Sequence, residues 1–174
     1  AALESDPVVK LLERAAYEKL MTRARINDAA KAQLVAYARG PDLDHLAANY
    51  NVTRLTVIEA DPTAVPPIEA QYEEDDSRME RVLLAFEGMA VAGPSGAYEF
   101  HALSADGRVA DAKASSPSPA TVLVSILNRL NGGVATEDLL NKVRIALSDE
   151  TIRPVGDRVI VQSAELIDYE IEAV

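Results

Sequence analysis

Apolar residues recur at helical spacing from the start of the chain. Asp6 followed by Pro7 predicts a helix N-terminus, because an aspartate side chain caps free amide groups and proline fits the first helical position. The apolar residues that follow on one predicted face are Val9, Leu12, Ala16 and Leu20. This spacing predicts an amphipathic helix with one packed stripe.

The helical pattern then continues, either directly or from a fresh start at Asn27 or Asp28, as far as Gly40 and Pro41. A glycine followed by a proline is typical of a helix end. A shorter helix is predicted next, opened by Asp42 and closed by Asn51. Its apolar stripe consists of Leu43, Leu46, Ala47 and Tyr50. Residues 1–58 are therefore expected to form a helical region.

Residues 59–76 break the helical pattern. They read EADPTAVPPIEAQYEEDD, with three prolines followed by an acidic run. Proline removes backbone donors and restricts the residue before it, so this segment is predicted to be an extended, proline-rich acidic linker. The acidic run lies where the next helix begins, which is where carboxylates interact favourably with the helix dipole.

Residues 77–106 return to helical spacing. One apolar stripe is formed by Met79, Val82, Leu83, Phe86 and Ala90. Gly93 and Pro94 end this helix, and Ser95 is expected to cap a second, short helix. The segment is predicted to be a helical hairpin that belongs to the helical region.

The period changes to two after Gly107. Residues 121–128 have apolar side chains on both predicted faces, which is typical of a central strand. Thr136 opens a further helix, and alternation resumes after Asp157 up to Val174. The order is strand, strand, helix, strand, strand. Residues 107–174 are thus predicted to form a sheet domain truncated at its C-terminal end, giving an α+β fold with a partial ferredoxin-like β-α-β-β unit.

The composition narrows the class of protein. Hydrophobic residues make up 48% of the 174 residues and aromatic ones 5%, so the core must be built largely from aliphatic side chains. The net charge of -11 disfavours nucleic acid and anionic membranes as partners. The chain has no cysteine, which excludes disulfides and thiolate metal sites. No apolar run reaches the roughly 18 residues of a membrane span.

His101 is the residue that most resembles a catalytic group. It lies between aromatic residues, near Ser95, Ser104 and Asp106. A nucleophile, histidine and carboxylate must converge in space, and no strained turn of the G-x-S-x-G type accompanies these residues. A structural position near a helix end is the simpler interpretation. A metal-dependent or His101-based enzyme module of unknown substrate is kept as the alternative function.

Other candidate sites are also weak. His45 could bind a metal with Asp42 and Asp44, but neighbouring helix positions point in different directions. The acidic run at 73–76 lacks the glycine-punctuated loop of a calcium site. Thr53 could open a DNA-recognition helix, yet few basic residues follow it. Gly132 and Gly133 match no nucleotide-binding pattern. The residues therefore predict neither a catalytic site nor a cofactor nor a small-molecule substrate.

Three ordered stretches resemble the baseplate J-like family of contractile-tail phages. Residues 5–55 are similar to its middle, helical segment, and the segment that follows in the family resembles AGPSGAYEFHALSADGRVADAKASSPSPATVLVSILN. Residues 139–174, with the turn at Arg153 and Pro154, resemble the next part. The similarity covers essentially the whole chain.

The resemblance implies a structural role. Members of the family are wedge subunits that join around the tail hub, in the virion baseplate after assembly in the host cytoplasm. They are longer at both ends, so the chain is expected to be an internal fragment. The expected partners are other wedge and hub subunits, with self-association. An unfinished sheet should expose an edge, so the partner interface is expected at Ile167, Tyr169, Ile171 and Ala173.

Overall fold

The computed structural model of the chain describes residues 6–89 and 93–167. It divides into two compact units, Ala1–Leu46 and Ala47–Val174. The helices are α1 (Pro7–Ala32), α2 (Pro41–Ala48), α3 (Asp75–Gly88), α4 (Ser95–Ala105) and α5 (Glu137–Leu147). The strands are β1 (Thr56–Ile58), β2 (Gln71–Tyr72), β3 (Val109–Ser118), β4 (Thr121–Asn128) and β5 (Arg158–Ser163). Helices precede most strands, which confirms the α+β class.

The first unit consists of α1 and most of α2. The Asp6 side chain accepts a hydrogen bond of 2.8 Å from the Val8 amide, which confirms the predicted cap. α1 runs without a fresh start at residue 27 or 28 and ends at Ala32, earlier than expected. Residues 33–37 form turns and a bend instead, and Gly40 has a φ of 53° before α2.

The segment expected to be an extended linker forms the loop and the second strand of a short hairpin, whose first strand, β1, lies just before it. β1 and β2 pair antiparallel, and an isolated bridge joins Asp61 to Ile68 within the connecting loop. The acidic run leads directly into α3, as the sequence indicated. The boundaries between the four expected segments stay predictions.

The buried face of α3 differs from the predicted one. It consists of Arg78, Arg81, Val82 and Ala85, whereas Leu83 and Phe86 are exposed. Two arginines are buried because carboxylate and carbonyl oxygens lie beside them on the preceding chain segment. In α4 the predicted cap is also displaced, because Pro94 occupies the cap position and Ser95 is the first helical residue.

The larger sheet has the strand order β3-β4-β5. β3 and β4 are antiparallel, and β4 and β5 are parallel, with Val124 opposite Val161. β4 is the central strand, as predicted. The ferredoxin-like detail is not confirmed by these strands, because a split βαβ unit leaves room for a strand between the two that flank its helix. Here β4 and β5 hydrogen-bond to each other directly.

The main core lies between this sheet and the helices α4 and α5. Ala112, Val124, Ile126 and Val161 supply the strand side of the core. The helix side is formed by Tyr98, Ala102, Leu103, Leu139, Leu140, Val143 and Leu147. The Tyr98 hydroxyl donates a hydrogen bond of 2.7 Å to Asp157, which ties α4 to the turn before β5.

Candidate functional site

His101 lies in α4, half-buried, with its ring edge-on to Phe100. Burial lowers the pKa of its imidazole, against an opposing hydrogen bond with the Gly88 backbone. Ser104 lies 3.5 Å from an Arg81 nitrogen, and Ser95 is exposed at the helix start. Within residues 6–89 and 93–167, no hydrogen bond joins His101 to either serine or to Asp106. The structure therefore does not bring these groups together as a catalytic set.

Asp106 instead forms an ion network at the end of α4. It accepts hydrogen bonds of 2.9 Å from Nε and Nη2 of Arg108, and one of 3.0 Å from Lys142. Burial opposes ionisation of the carboxyl group, but these cationic donors outweigh it and hold the pKa of Asp106 below its ordinary value. Arg108 also donates to Asp138 in α5, so the network joins α4, β3 and α5.

We expect Asp106→Asn to destabilise the chain at pH 7 by about 1–3 kcal/mol, because two cations lose their charged partner. A carboxyl group with a depressed pKa stabilises the fold above its unfolded pKa of about 3.9 and loses that contribution as the pH falls. The difference between wild type and D106N should therefore shrink progressively below about pH 5. Urea unfolding of both proteins at pH 7, 5 and 3 measures it. A difference that stays constant with pH would contradict the assignment.

The other candidate site residues lie in ordinary helix, strand and turn positions. His45 is exposed on α2, and residues 6–89 and 93–167 contain no group of three or more His, Asp or Glu residues placed to hold a metal ion. The residues after Thr53 form β1, so no recognition helix begins there. Gly132 and Gly133 lie in a turn between β4 and α5, with φ angles of 63° and 96°. Within the same residues, no helix is long and apolar enough to cross a bilayer.

A buried charge cluster is a feature that the sequence analysis missed. Glu73 accepts a hydrogen bond of 2.7 Å from Arg81, and their side chains are only 3% and 5% exposed. The same carboxylate oxygen accepts from the Leu55 amide, while Arg54 donates to the Glu73 carbonyl and to Asp75. The cluster therefore fastens the segment before β1 to α3. The signal in the sequence is the acidic run at 73–76, which is followed by Arg78 and Arg81 in α3.

Seven large apolar residues of α1 are exposed to solvent. None of its 26 residues is buried. The predicted stripe is therefore a helix face, as expected, but it is not packed: Leu12 and Leu20 are each 65% exposed. Its other exposed large apolar residues are Val8, Leu11, Tyr17, Met21 and Ile26. Exposed apolar surface of this extent is typical of a protein interaction site.

A second apolar strip lies on α3 in the larger unit. Leu83, Phe86 and Met89 are each about two-thirds exposed, and Phe86 packs edge-on against Tyr50 at a centroid distance of 5.4 Å. Of the interface predicted from the sequence, Ile167 is 81% exposed and lies in an irregular segment after β5. Tyr169, Ile171 and Ala173 lie outside the described residues, so that interface stays a prediction.

Comparison with known proteins gives matches to two family models. Residues 4–61 match the family model described as the baseplate J-like N-terminal domain, and residues 90–163 match the baseplate J-like central domain. The first match corrects our assignment of residues 5–55 to the middle segment of the family.

A comparison along nearly the whole of this chain supports the same family. The chain is 55% identical over 171 residues to a curated protein named baseplate protein J, from Escherichia phage P2. That alignment covers 98% of this chain and 57% of the relative, so the chain spans little more than half of the relative's length. Two domain models of one family and this identity lead to a single conclusion: the chain belongs to the baseplate J-like family.

Proposed function

We propose that the chain is a structural subunit of the contractile-tail baseplate of a phage or prophage, and that it acts as a wedge and assembly protein rather than as an enzyme. The relative from phage P2 carries the name of a baseplate protein, and identity of 55% over nearly the whole chain supports the same role here. The proposed site of action is the virion tail baseplate, after assembly in the host cytoplasm. The role requires no cofactor or small-molecule substrate.

The observation that carries the proposal is the exposed apolar face of α1. A helix gains most of its stability in a protein from packing an apolar face against other elements. α1 buries none of its 26 residues, and we assign the cover of its apolar face to another subunit. The proposed partners are other wedge and hub subunits and further copies of this chain. A net charge of -11 makes nucleic acid and anionic membranes poor partners.

Co-purification tests this role. We expect the tagged chain to retain adjacent baseplate subunits when they are expressed together, and Leu12→Asp with Leu20→Asp to reduce the retained amount by about tenfold or more, since each carboxylate would have to be buried without a partner. The matched control is Ile145→Asp, which changes an equally exposed apolar residue on α5. Retention of no baseplate subunit by the unmodified chain would remove the proposal.

A further inference from the structure

An acidic groove of about 350 Å³ lies between α3, α4 and β3, entirely within the larger unit. Three leucines form its apolar part: Leu83, Leu84 and Leu103. Three carboxylates line its rim: Glu80, Glu99 and Asp111. Lys113 neutralises Glu99 at 2.9 Å, so Glu80 and Asp111 leave the groove with a negative potential. The exposed Leu83 and Phe86 extend its apolar part along α3.

α1 has the opposite charge. It contains six basic residues against three acidic ones, although the whole chain has a net charge of -11. The basic residues are Lys10, Arg14, Lys19, Arg23, Arg25 and Lys31. The excess of positive charge is thus concentrated on the helix whose apolar face is uncovered, and the remainder of the chain is strongly acidic.

Two basic positions of α1 lie on the same face as its predicted apolar stripe. Leu12, Ala16 and Leu20 follow one another at intervals of four residues, and Lys19 and Arg23 are spaced by one turn beside them. An apolar helix face that also carries two cations is complementary to an apolar groove lined by carboxylates. Amphipathic helices bind to such grooves through a few large side chains, and charge complementarity selects the partner.

We propose that α1 of one copy binds in the α3–α4–β3 groove of a second copy of this chain. Leu12 and Leu20 contact the leucines of the groove, and Lys19 and Arg23 face Glu80 and Asp111. Two different surfaces meet, so the contact is heterologous: every copy offers one helix and one groove. The inference deepens the proposed assembly role and rests on it, since it identifies one partner and the surface that the partner uses.

Two single variants of the 174-residue chain test the pairing by sedimentation velocity. Leu20→Asp disrupts the apolar face of α1 and leaves the groove intact. Leu83→Asp disrupts the groove and leaves the face of α1 intact. We expect the unmodified chain to self-associate, and a tenfold rise in NaCl concentration to weaken that association because the contact is ionic in part. Each variant alone should be monomeric. Circular dichroism checks that both keep their helical content, and Ile145→Asp is the control.

Mixing the two variants gives the decisive result. An intact groove on L20D and an intact helix on L83D allow one contact, so the equimolar mixture should form a 1:1 heterodimer. Pairing of α1 with α1 would instead leave L83D associated and the mixture without a heterodimer, which overturns the proposal. A monomeric unmodified chain also overturns it. A failed co-purification with a positive mixing result would remove the baseplate role and leave the pairing, and the reverse result would remove the pairing alone.

Discussion

Replacing Glu73 by alanine is expected to destabilise the chain by about 3–5 kcal/mol, since the change leaves the buried guanidinium of Arg81 without its counter-ion. The same carboxylate accepts from the Leu55 amide, so a second buried donor loses its partner. Burial already lowers the pKa of Arg81 and Arg78 adds like-charge repulsion, against the attraction of Glu73. Urea unfolding followed by circular dichroism measures the loss.

Two further variants test whether the loss of stability comes from leaving a buried charge without its counter-ion. Glu18→Ala breaks the Arg14–Glu18 pair, whose side chains are exposed to solvent, and should change stability by less than about 0.5 kcal/mol. Changing Glu73 and Arg81 together to leucine should recover most of the loss, because neither side chain then carries a buried charge. Recovery stays incomplete, since Arg81 also donates to the Thr53 carbonyl. A loss below about 1 kcal/mol for E73A would show that the pair does not hold β1 to α3.

The elements that the sequence predicted well are those whose signals are local. The Asp6 cap depends on one side chain and the next two residues. The central position of β4 follows from apolar residues at alternate and intervening positions of one short segment. Features predicted from such patterns are found in the structure because the backbone geometry that they require is set within a few residues.

The features that the sequence did not predict depend on residues distant along the chain. Burial of Arg81 is possible only because Glu73 and the Thr53 carbonyl lie beside it, and no helical period contains that information. The direct pairing of β4 with β5 was not predicted either. The apolar pattern of a strand does not indicate which strand lies beside it in the sheet.

The candidate site shows the same division. The apolar stripe of α1 was predicted, but its exposure was not, because periodicity identifies an apolar face without identifying what covers it. His101 was a candidate catalytic residue because of its neighbours in sequence, which include Asp106. In the structure Asp106 pairs with Arg108 and Lys142 instead. Interaction surfaces of this kind are found by comparing a predicted apolar face with the burial that the fold gives it.

Leu139→Ala is expected to cost about 2–5 kcal/mol of the free energy of unfolding, because the leucine side chain is removed from a closely packed interior and leaves a cavity. Leu139 is fully buried at the start of α5, in the cluster that contains Val124, Ile126 and Val143. Its helix is also held by other buried leucine and valine side chains, by the Thr136 cap, and by Asp138 and Lys142, which pair with Arg108 and Asp106. The cavity should loosen α5 from the sheet.

Ile145→Ala on the same helix is the matched control, because Ile145 is 74% exposed and alanine favours a helix more than isoleucine does. It should change stability by less than about 0.5 kcal/mol, and either sign is compatible with its position. Urea unfolding measures both variants, with hydrogen exchange of the α5 amides as a local readout. Faster exchange confined to α5 in L139A is the expected pattern. Equal stability of the two variants would mean that α5 does not pack on the sheet through its Leu139–Val143 face, and the core would have to be assigned elsewhere.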